Sequence, residues 1–225
     1  MIGDALGDAR TVVNVGAGAR SYEFAGREVT PVEPSAAMRA QRSPELPRAI
    51  DAVAERLPFT DGALDAAMTT FTVHQRSDPA AGLREMRRVA RGPVLVLTCD
   101  PDRVRDFWLY AYAPEVLDAE ARRYPPTAAL AAALGGRTTV RPVPIPADRT
   151  DGFNETYYAR PELLLDPGAR QACSAWSFVD DDAVPARFDA HLRRDLADGA
   201  REERYGHLRG RPVHQGSPVL LANLP

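Results

Sequence analysis

The sequence predicts an α/β fold: a seven-stranded, mostly parallel sheet flanked by helices, with a helical cap inserted before the last strand. Three observations predict it. Val12-Val13-Asn14-Val15 is a β-branched run that ends in two closely spaced glycines, Gly16 and Gly18. A strand buried on both faces carries such runs, and the turn leaving it needs positions without a Cβ. Val94-Leu95-Val96-Leu97-Thr98, set off by Gly92-Pro93, is a second continuous apolar run. Between the two lie stretches of helical spacing, such as Leu83, Met86 and Val89, and strands alternating with helices build a parallel sheet.

Taken in order, residues 1–10 form a lead-in with one helical turn through Ile2, Ala5 and Leu6. After the first strand, Tyr22 to Gly26 leaves room for only a very short helix before Glu28-Val29-Thr30-Pro31-Val32, the second strand, which runs into Glu33-Pro34-Ser35. Pro34 with Ala36-Ala37-Met38 suits a helix start. Ser43 to Pro47 reads as a loop, Ala49 to Val53 as a third strand, Asp61-Gly62 as a turn and Leu64 to Phe71 as a fourth strand. Asp78 opens a helix whose Arg84, Arg87, Arg88 and Arg91 gather toward its end, where they complement the helix dipole as a solvated face.

Val94 to Thr98 is the fifth strand. Asp102 to Arg123 and the adjoining Tyr124 concentrate Phe107, Trp108, Tyr110 and Tyr112, aromatics that serve either as packing or as the lining of an apolar pocket. Ala128 to Leu134 is a helix stopped by Gly135-Gly136, and Thr138 to Ile145 is a strand that Pro142 and Pro144 confine to an edge. Helical stretches are expected over Gly152 to Arg160, Pro167 to Trp176 and Asp181 to Arg204, before a last strand at Pro218 to Asn223. The expected organisation is a core of 1–147 and 217–225, a cap of 148–216, and one compact domain overall.

A chain of 225 residues with 44% hydrophobic content can bury one sizeable core. The net charge of −3 exerts no general pull on nucleic acid or anionic membrane. All 28 basic residues are arginine, which suits a GC-rich bacterial genome and excludes lysine Schiff-base chemistry and a lysine phosphate loop. Cys99 and Cys173 lack metal-ligand spacing and are too few for a disulfide framework, so a reducing cytoplasm is expected. No apolar run is long enough to span a bilayer, and the first residues lack the pattern of a signal peptide. Asp180-Asp181-Asp182 do not converge on one face, which points to a helix N-terminus and to no metal.

The candidate site begins at Glu33, seventeen residues after Gly16. An acidic residue at the tip of the second parallel strand can accept both hydroxyls of a ribose, and ligands sit at these carboxyl ends. A nucleoside is the ligand this pattern favours. The succession VVNVGAGARSYE, VTPVEPSAAMRAQR, VAERLPFTDGALDAAMTTFTVH and LREMRRVARGPVLVLTCDP resembles a class I S-adenosylmethionine-dependent methyltransferase of the bacterial small-molecule type. The resemblance covers about residues 10–100 and implies a Rossmann-like fold.

By this resemblance the cofactor is S-adenosylmethionine, with S-adenosylhomocysteine as product. Gly16 and Gly18 would let the loop backbone approach its amino acid part, Glu33 would accept its ribose hydroxyls, the segment of Ala54 and Glu55 would face its adenine, and Asn14, Ala17, Tyr22, Pro34 and Thr70 would be further cofactor-binding residues. Many relatives have an aspartate where this chain has Val53, so adenine is expected to be read by backbone. Relatives also commonly have glycine where Arg20 stands. Arg20 either points outward, clamps the cofactor's carboxylate, or impairs binding. The one or two helices that such enzymes usually carry before the first strand, closing over the cofactor, are missing or shortened in this sequence; for a protein that starts at Met1 a more open cleft is expected.

His74, with Thr72 and Gln75 as neighbours, stands where such enzymes often place residues facing the transferable methyl. It can act as a base toward a hydroxyl or amine, or be structural. Trp108, Tyr112, Phe153, Asn154 and Tyr158, with Trp176, are candidates to line the acceptor pocket, and Tyr157 to orient the acceptor. The function implied is methyl transfer to a small molecule bearing a hydroxyl, carboxyl or amine. The partners expected are that acceptor alone, without nucleic acid or membrane, on a monomer or homodimer. The alternatives are a cofactor-binding relative that cyclises or rearranges its substrate, and a noncatalytic nucleoside-binding protein.

Overall fold

The computed structural model of the chain describes residues 1–19, 24, 26–149 and 152–225. Its strands are β1 (Thr11–Val15), β2 (Glu28–Val32), β3 (Ala66–Thr70), β4 (Val94–Cys99), β5 (Arg137–Pro142), β6 (Ile145–Pro146), β7 (Val213–His214) and β8 (Pro218–Leu224). Its helices are α1 (Ile2–Ala5), α2 (Ala36–Ala40), α3 (Pro79–Val89), α4 (Pro101–Val104), α5 (Pro114–Arg123), α6 (Thr127–Leu134), α7 (Pro167–Ala172), α8 (Val184–Asp198) and α9 (Ala200–Tyr205). Six strands form one sheet in the order β2-β1-β3-β4-β8-β5, while β6 and β7 pair antiparallel elsewhere. Within the sheet β1 runs parallel to both β2 and β3, and β3 to β4. The chain therefore steps from β2 across β1 to β3, and strand order reverses there, which is where ligands bind open α/β sheets.

The sheet has six strands among the described residues, one fewer than expected, because Ala49 to Val53 contributes a single bridge, Ile50 to Val32. Ile50 N–H donates to Pro31 O at 2.9 Å and Glu33 N–H donates to Ile50 O at 3.0 Å. The next bond toward the N-terminus would need an N–H from Pro31, which has none. The next toward the C-terminus would need Glu33 O, which already accepts from Arg39 Nη1 at 2.7 Å.

The chain divides into two compact units. The first comprises Met1–Cys99, Tyr124–Arg141 and Val219–Pro225. Its core packs Leu83, Met86 and Val89 of α3 and Leu130 and Leu134 of α6 with Val13, Val15, Ala67, Val94 and Val96 of the sheet. Burying each large aliphatic side chain contributes about 1.5–3 kcal/mol. Asp78 caps α3 by accepting from Ala81 N–H at 2.9 Å, with Pro79 at the first helical position. Of the arginines toward the end of α3, Arg84 and Arg91 are exposed as expected of a solvated face, whereas Arg87 and Arg88 are cross-ties. Arg87 donates to Asn223 Oδ1 (3.1 Å) and to the carbonyls of Ala90 and Gly92; Arg88 binds Glu85, Asp61 and the carbonyls of Leu57 and Phe59. Arg91 pairs with Asp65, whose other oxygen accepts from the backbone of Thr11 and Arg10 at 2.8 and 2.9 Å. Those two N–H groups hold the Asp65 carboxyl well below the usual carboxylate range.

The second unit is drawn from Asp100–Arg123 and Pro142–Pro218, whereas the expected cap ran from 148 to 216. Its helices are shorter than expected. The stretch 152–160 holds one 3-10 turn, Asn154–Tyr157, and 167–176 breaks after Ala172. The stretch 181–204 begins its helix only at Val184 and is cut at Gly199, which takes the left-handed conformation (φ +85°) that favours glycine.

Candidate functional site

At the carboxyl ends of β1 and β2 the glycine turn is held almost entirely by the protein itself. Gly16 N–H and Ala17 N–H both donate to Val32 O, at 2.8 and 3.0 Å. Gly18 N–H donates to Glu33 Oε2 at 2.8 Å, and Ser35 N–H to Glu33 Oε1 at 2.8 Å. Gly18 O accepts from Arg42 Nη1 at 3.1 Å. Glu33 is 7% exposed, so β2 delivers a nearly buried carboxylate whose two oxygens each accept one amide. A carboxylate offers about four lone-pair sites, which leaves two for hydroxyl donors. Gly16 (φ +78°) and Gly18 (φ +58°) both occupy the left-handed region.

Below this turn lies a polar network from β3 and the 3-10 turn Val73–Gln75 that follows it. Thr69 Oγ1 donates to Val15 O at 2.8 Å and lies 2.8 Å from Thr72 Oγ1. Arg76 Nη2 donates to Thr69 Oγ1 at 2.7 Å, and Arg76 Nη1 lies 3.6 Å from Met86 Sδ. Burial lowers the Arg76 guanidinium to about 10, against the opposing pull of Glu55. A Cβ added to Gly16 would stand 2.4 Å from Thr72 Oγ1, so the glycine allows the threonine to close on the turn. Phe71, between them in sequence, has φ +53°, a conformation that costs a side-chain-bearing residue about 1–3 kcal/mol. His74 is half-buried with its ring edge-on to Tyr124 at 4.5 Å between centroids. Thr70 and Asn14 are buried at the same strand ends.

The expected adenine segment is placed beside α3. Ala54 is buried, while Val53 is 48% exposed. Glu55 Oε1 accepts from Ser77 Oγ (2.9 Å) and Asp78 N–H (3.2 Å). Burial acts to raise the Glu55 carboxyl, yet these hydrogen bonds and Arg76 hold it below its ordinary value. Asp51, Ala52, Val53, Arg56, Leu57 and Pro58 line a recess of about 370 Å³. Pro34 is exposed, and the helix after it is capped by Ser35, whose Oγ accepts from Met38 N–H at 3.3 Å. Tyr22 and Arg20 lie outside the described residues.

In the second unit the candidate acceptor residues are largely engaged with other groups of the same unit. Asn154 donates to Glu120 Oε2 (2.8 Å) and accepts from Trp176 Nε1 (3.0 Å). Tyr158 is fully buried, donates to Arg211 O at 2.8 Å and stacks on His214. Tyr112 donates to Asp195 Oδ2 at 3.1 Å, and burial with the Asp195 charge pushes its phenol up to about 12. Trp108 is 2% exposed, in edge contact with Tyr112. Phe153 and Tyr157 remain half-buried. Arg76, Thr69 and Arg42 escaped the sequence reading, since an arginine beside His74-Gln75 carries no pattern that separates it from a surface residue.

Residues 13–96 match the family model described as a methyltransferase domain. The fold is similar to that of an Anabaena variabilis protein provisionally assigned as a methyltransferase of an antibiotic biosynthesis pathway. The identity is 26%, over 95% of this chain and 90% of that one, with a TM-score of 0.83. At lower similarity it shares its fold with the YcgJ protein of Bacillus subtilis (17% identity, 99% and 98% covered, TM-score 0.54). The same holds for an S-adenosylmethionine-dependent methyltransferase of Thermotoga maritima (15%, 98% and 86%, TM-score 0.52). No curated protein matches the chain. Over residues 13–96 the chain is thus similar to a methyltransferase domain, and over nearly its whole length it shares the fold of the Anabaena variabilis protein.

Proposed function

We propose that the chain binds S-adenosylmethionine at the ends of β1 and β2 and transfers its methyl group to a small-molecule acceptor bearing a hydroxyl, carboxyl or amine. One observation carries this reading: Glu33, buried at the tip of β2, keeps lone pairs beyond those given to Gly18 and Ser35. A ribose, with two adjacent hydroxyls, is a donor of the kind that completes such a carboxylate. When bound, the cofactor supplies an electrophilic methyl carbon.

The protein's part is then to hold the acceptor in line with that carbon, and orientation of this kind is worth roughly 7–11 kcal/mol of barrier. In this reading Asn14, Gly16, Ala17, Gly18 and Glu33 hold the cofactor with Thr70, and the segment Ala54-Glu55 lies toward its base. His74 takes the acceptor's proton, and Tyr157 orients the acceptor. The acceptor is a free metabolite, handled without nucleic acid or membrane. Support for a small-molecule acceptor comes from the Anabaena variabilis protein's assignment to antibiotic biosynthesis. The test is methyl release from S-adenosylmethionine in the presence of phenols, carboxylates and amines. Product with one class establishes the acceptor; binding of the cofactor with no methyl release from any class would favour a non-methylating reaction.

A further inference from the structure

We propose that Arg76 is a positioning residue for the cofactor site: through Thr69 it fixes the Val15 carbonyl, and with it the glycine turn. Among the described residues Arg76 makes no ion pair. The Glu55 charge acts on this half-buried guanidinium without forming an ion pair, and its charge-assisted bond goes instead to a threonine hydroxyl. Arginine donates only, so Thr69 Oγ1 must accept at 2.7 Å, and its own proton is turned away, toward Val15 O at 2.8 Å. Thr72 Oγ1 lies 2.8 Å from Thr69 Oγ1 and itself donates to Val15 O at 3.3 Å. The cation thus sets the direction of the Thr69 hydroxyl, and both threonines converge on the Val15 carbonyl. A cation on one side of a hydroxyl also strengthens the bond it donates on the other.

Val15 is the last residue of β1, and the turn begins at the next one. Beyond it, Gly16 and Ala17 are tied to Val32 O, and Gly18 to Glu33. The Val15 carbonyl is the tether on the β3 side, opposite those on the β2 side. The packing around Arg76 is tight as well: a Cβ on Gly82 would meet Arg76 Nη1 at 3.0 Å and Ala54 Cβ at 3.2 Å. The absent side chain there gives the guanidinium its room beside α3.

This inference rests on the proposed function only for its binding consequence, and the two can be tested apart. In the ligand-free protein, amide exchange at residues 16–18 is compared among wild type, Arg76→Met and Arg76→Lys. The expected result is at least tenfold faster exchange at these residues in Arg76→Met, with the amides of β4 unchanged, and recovery to within threefold in Arg76→Lys. S-adenosylhomocysteine should bind about tenfold more weakly to Arg76→Met. Unchanged exchange at 16–18, or acceleration spread evenly through β1, β3 and β4, would overturn the assignment. Should Arg76→Met fail to fold, Thr69→Val removes the relay and must give the same local signature. If wild type binds no S-adenosylhomocysteine, the methyltransferase reading fails, while the exchange comparison still decides the role of Arg76.

Discussion

Replacing Gly16 with alanine tests the turn at its most confined point. The new Cβ would sit 2.4 Å from Thr72 Oγ1, 2.9 Å from its Cβ and 3.2 Å from its Cγ2, contacts the packing cannot accept unless Thr72 moves. Moving Thr72 breaks its hydroxyl bond to Thr69, worth about 1 kcal/mol. Holding alanine at φ +78° costs about 1–2 kcal/mol more. The sum, about 2–4 kcal/mol with residual overlap, corresponds to a fall in Tm of about 5–15 °C for a chain of this size. Gly18→Ala is the matched control, because its φ is +58° but nothing lies within 4 Å of the added Cβ; it should show the conformational cost alone. Urea unfolding followed by circular dichroism measures both. In the double variant Gly16→Ala/Thr72→Ala the costs should fall short of additive by about 1 kcal/mol. Equal stabilities for Gly16→Ala and Gly18→Ala would refute the steric reasoning.

Other consequences follow from buried groups. Glu155 is buried against Ser217, accepting its N–H at 2.9 and 3.0 Å, and burial reinforced by Glu120 lifts its carboxyl to about 7 from 4.5. A raised acid favours folding while protonated, so that contribution is full below about pH 4.5 and lost as pH rises to about 7; at most it is worth roughly 3 kcal/mol. Melting curves of wild type and Glu155→Gln should therefore diverge between pH 5 and 8, the variant being the steadier, and parallel curves would reject the assignment. Cys173 is 2% exposed with its thiol pushed up to about 12 by burial, so it should resist thiol reagents in the native protein and react once unfolded. His74→Gln should lower kcat by about 10²–10⁴-fold with cofactor affinity unchanged, and an undiminished kcat would assign His74 to packing against Tyr124.

Much of the architecture is readable because local chemistry and fold agree. Asp78 followed by Pro79 starts α3 where capping requires, Gly135 ends α6, and the prolines after Val140 leave β5 at the sheet's edge. The third strand misleads because Ala49 to Val53 has a strand's composition, while its extension is stopped by a missing N–H at Pro31 and a carbonyl taken by Arg39. Neither is visible without the partner strand. At the site, the acidic tip of β2 is legible from its spacing to Gly16, but not that Gly18 and Ser35 already claim part of it. Arg87 and Arg88 read as charged surface because sequence shows charge and not the carbonyls that fold toward it. Asn154 and Tyr158 look like pocket residues for the same reason, their partners Glu120 and Arg211 being distant in sequence.

Glu33 is the residue proposed to fasten a sulfonium nucleoside. Calorimetric titration of wild type and Glu33→Ala with S-adenosylhomocysteine, with folding checked by circular dichroism, tests it directly. Loss of one hydrogen bond to a charged group costs about 1.5–3 kcal/mol, so one site per chain is expected in wild type, at least about tenfold weaker in the variant. Absence of binding to wild type, or equal affinity in a folded Glu33→Ala protein, would contradict it.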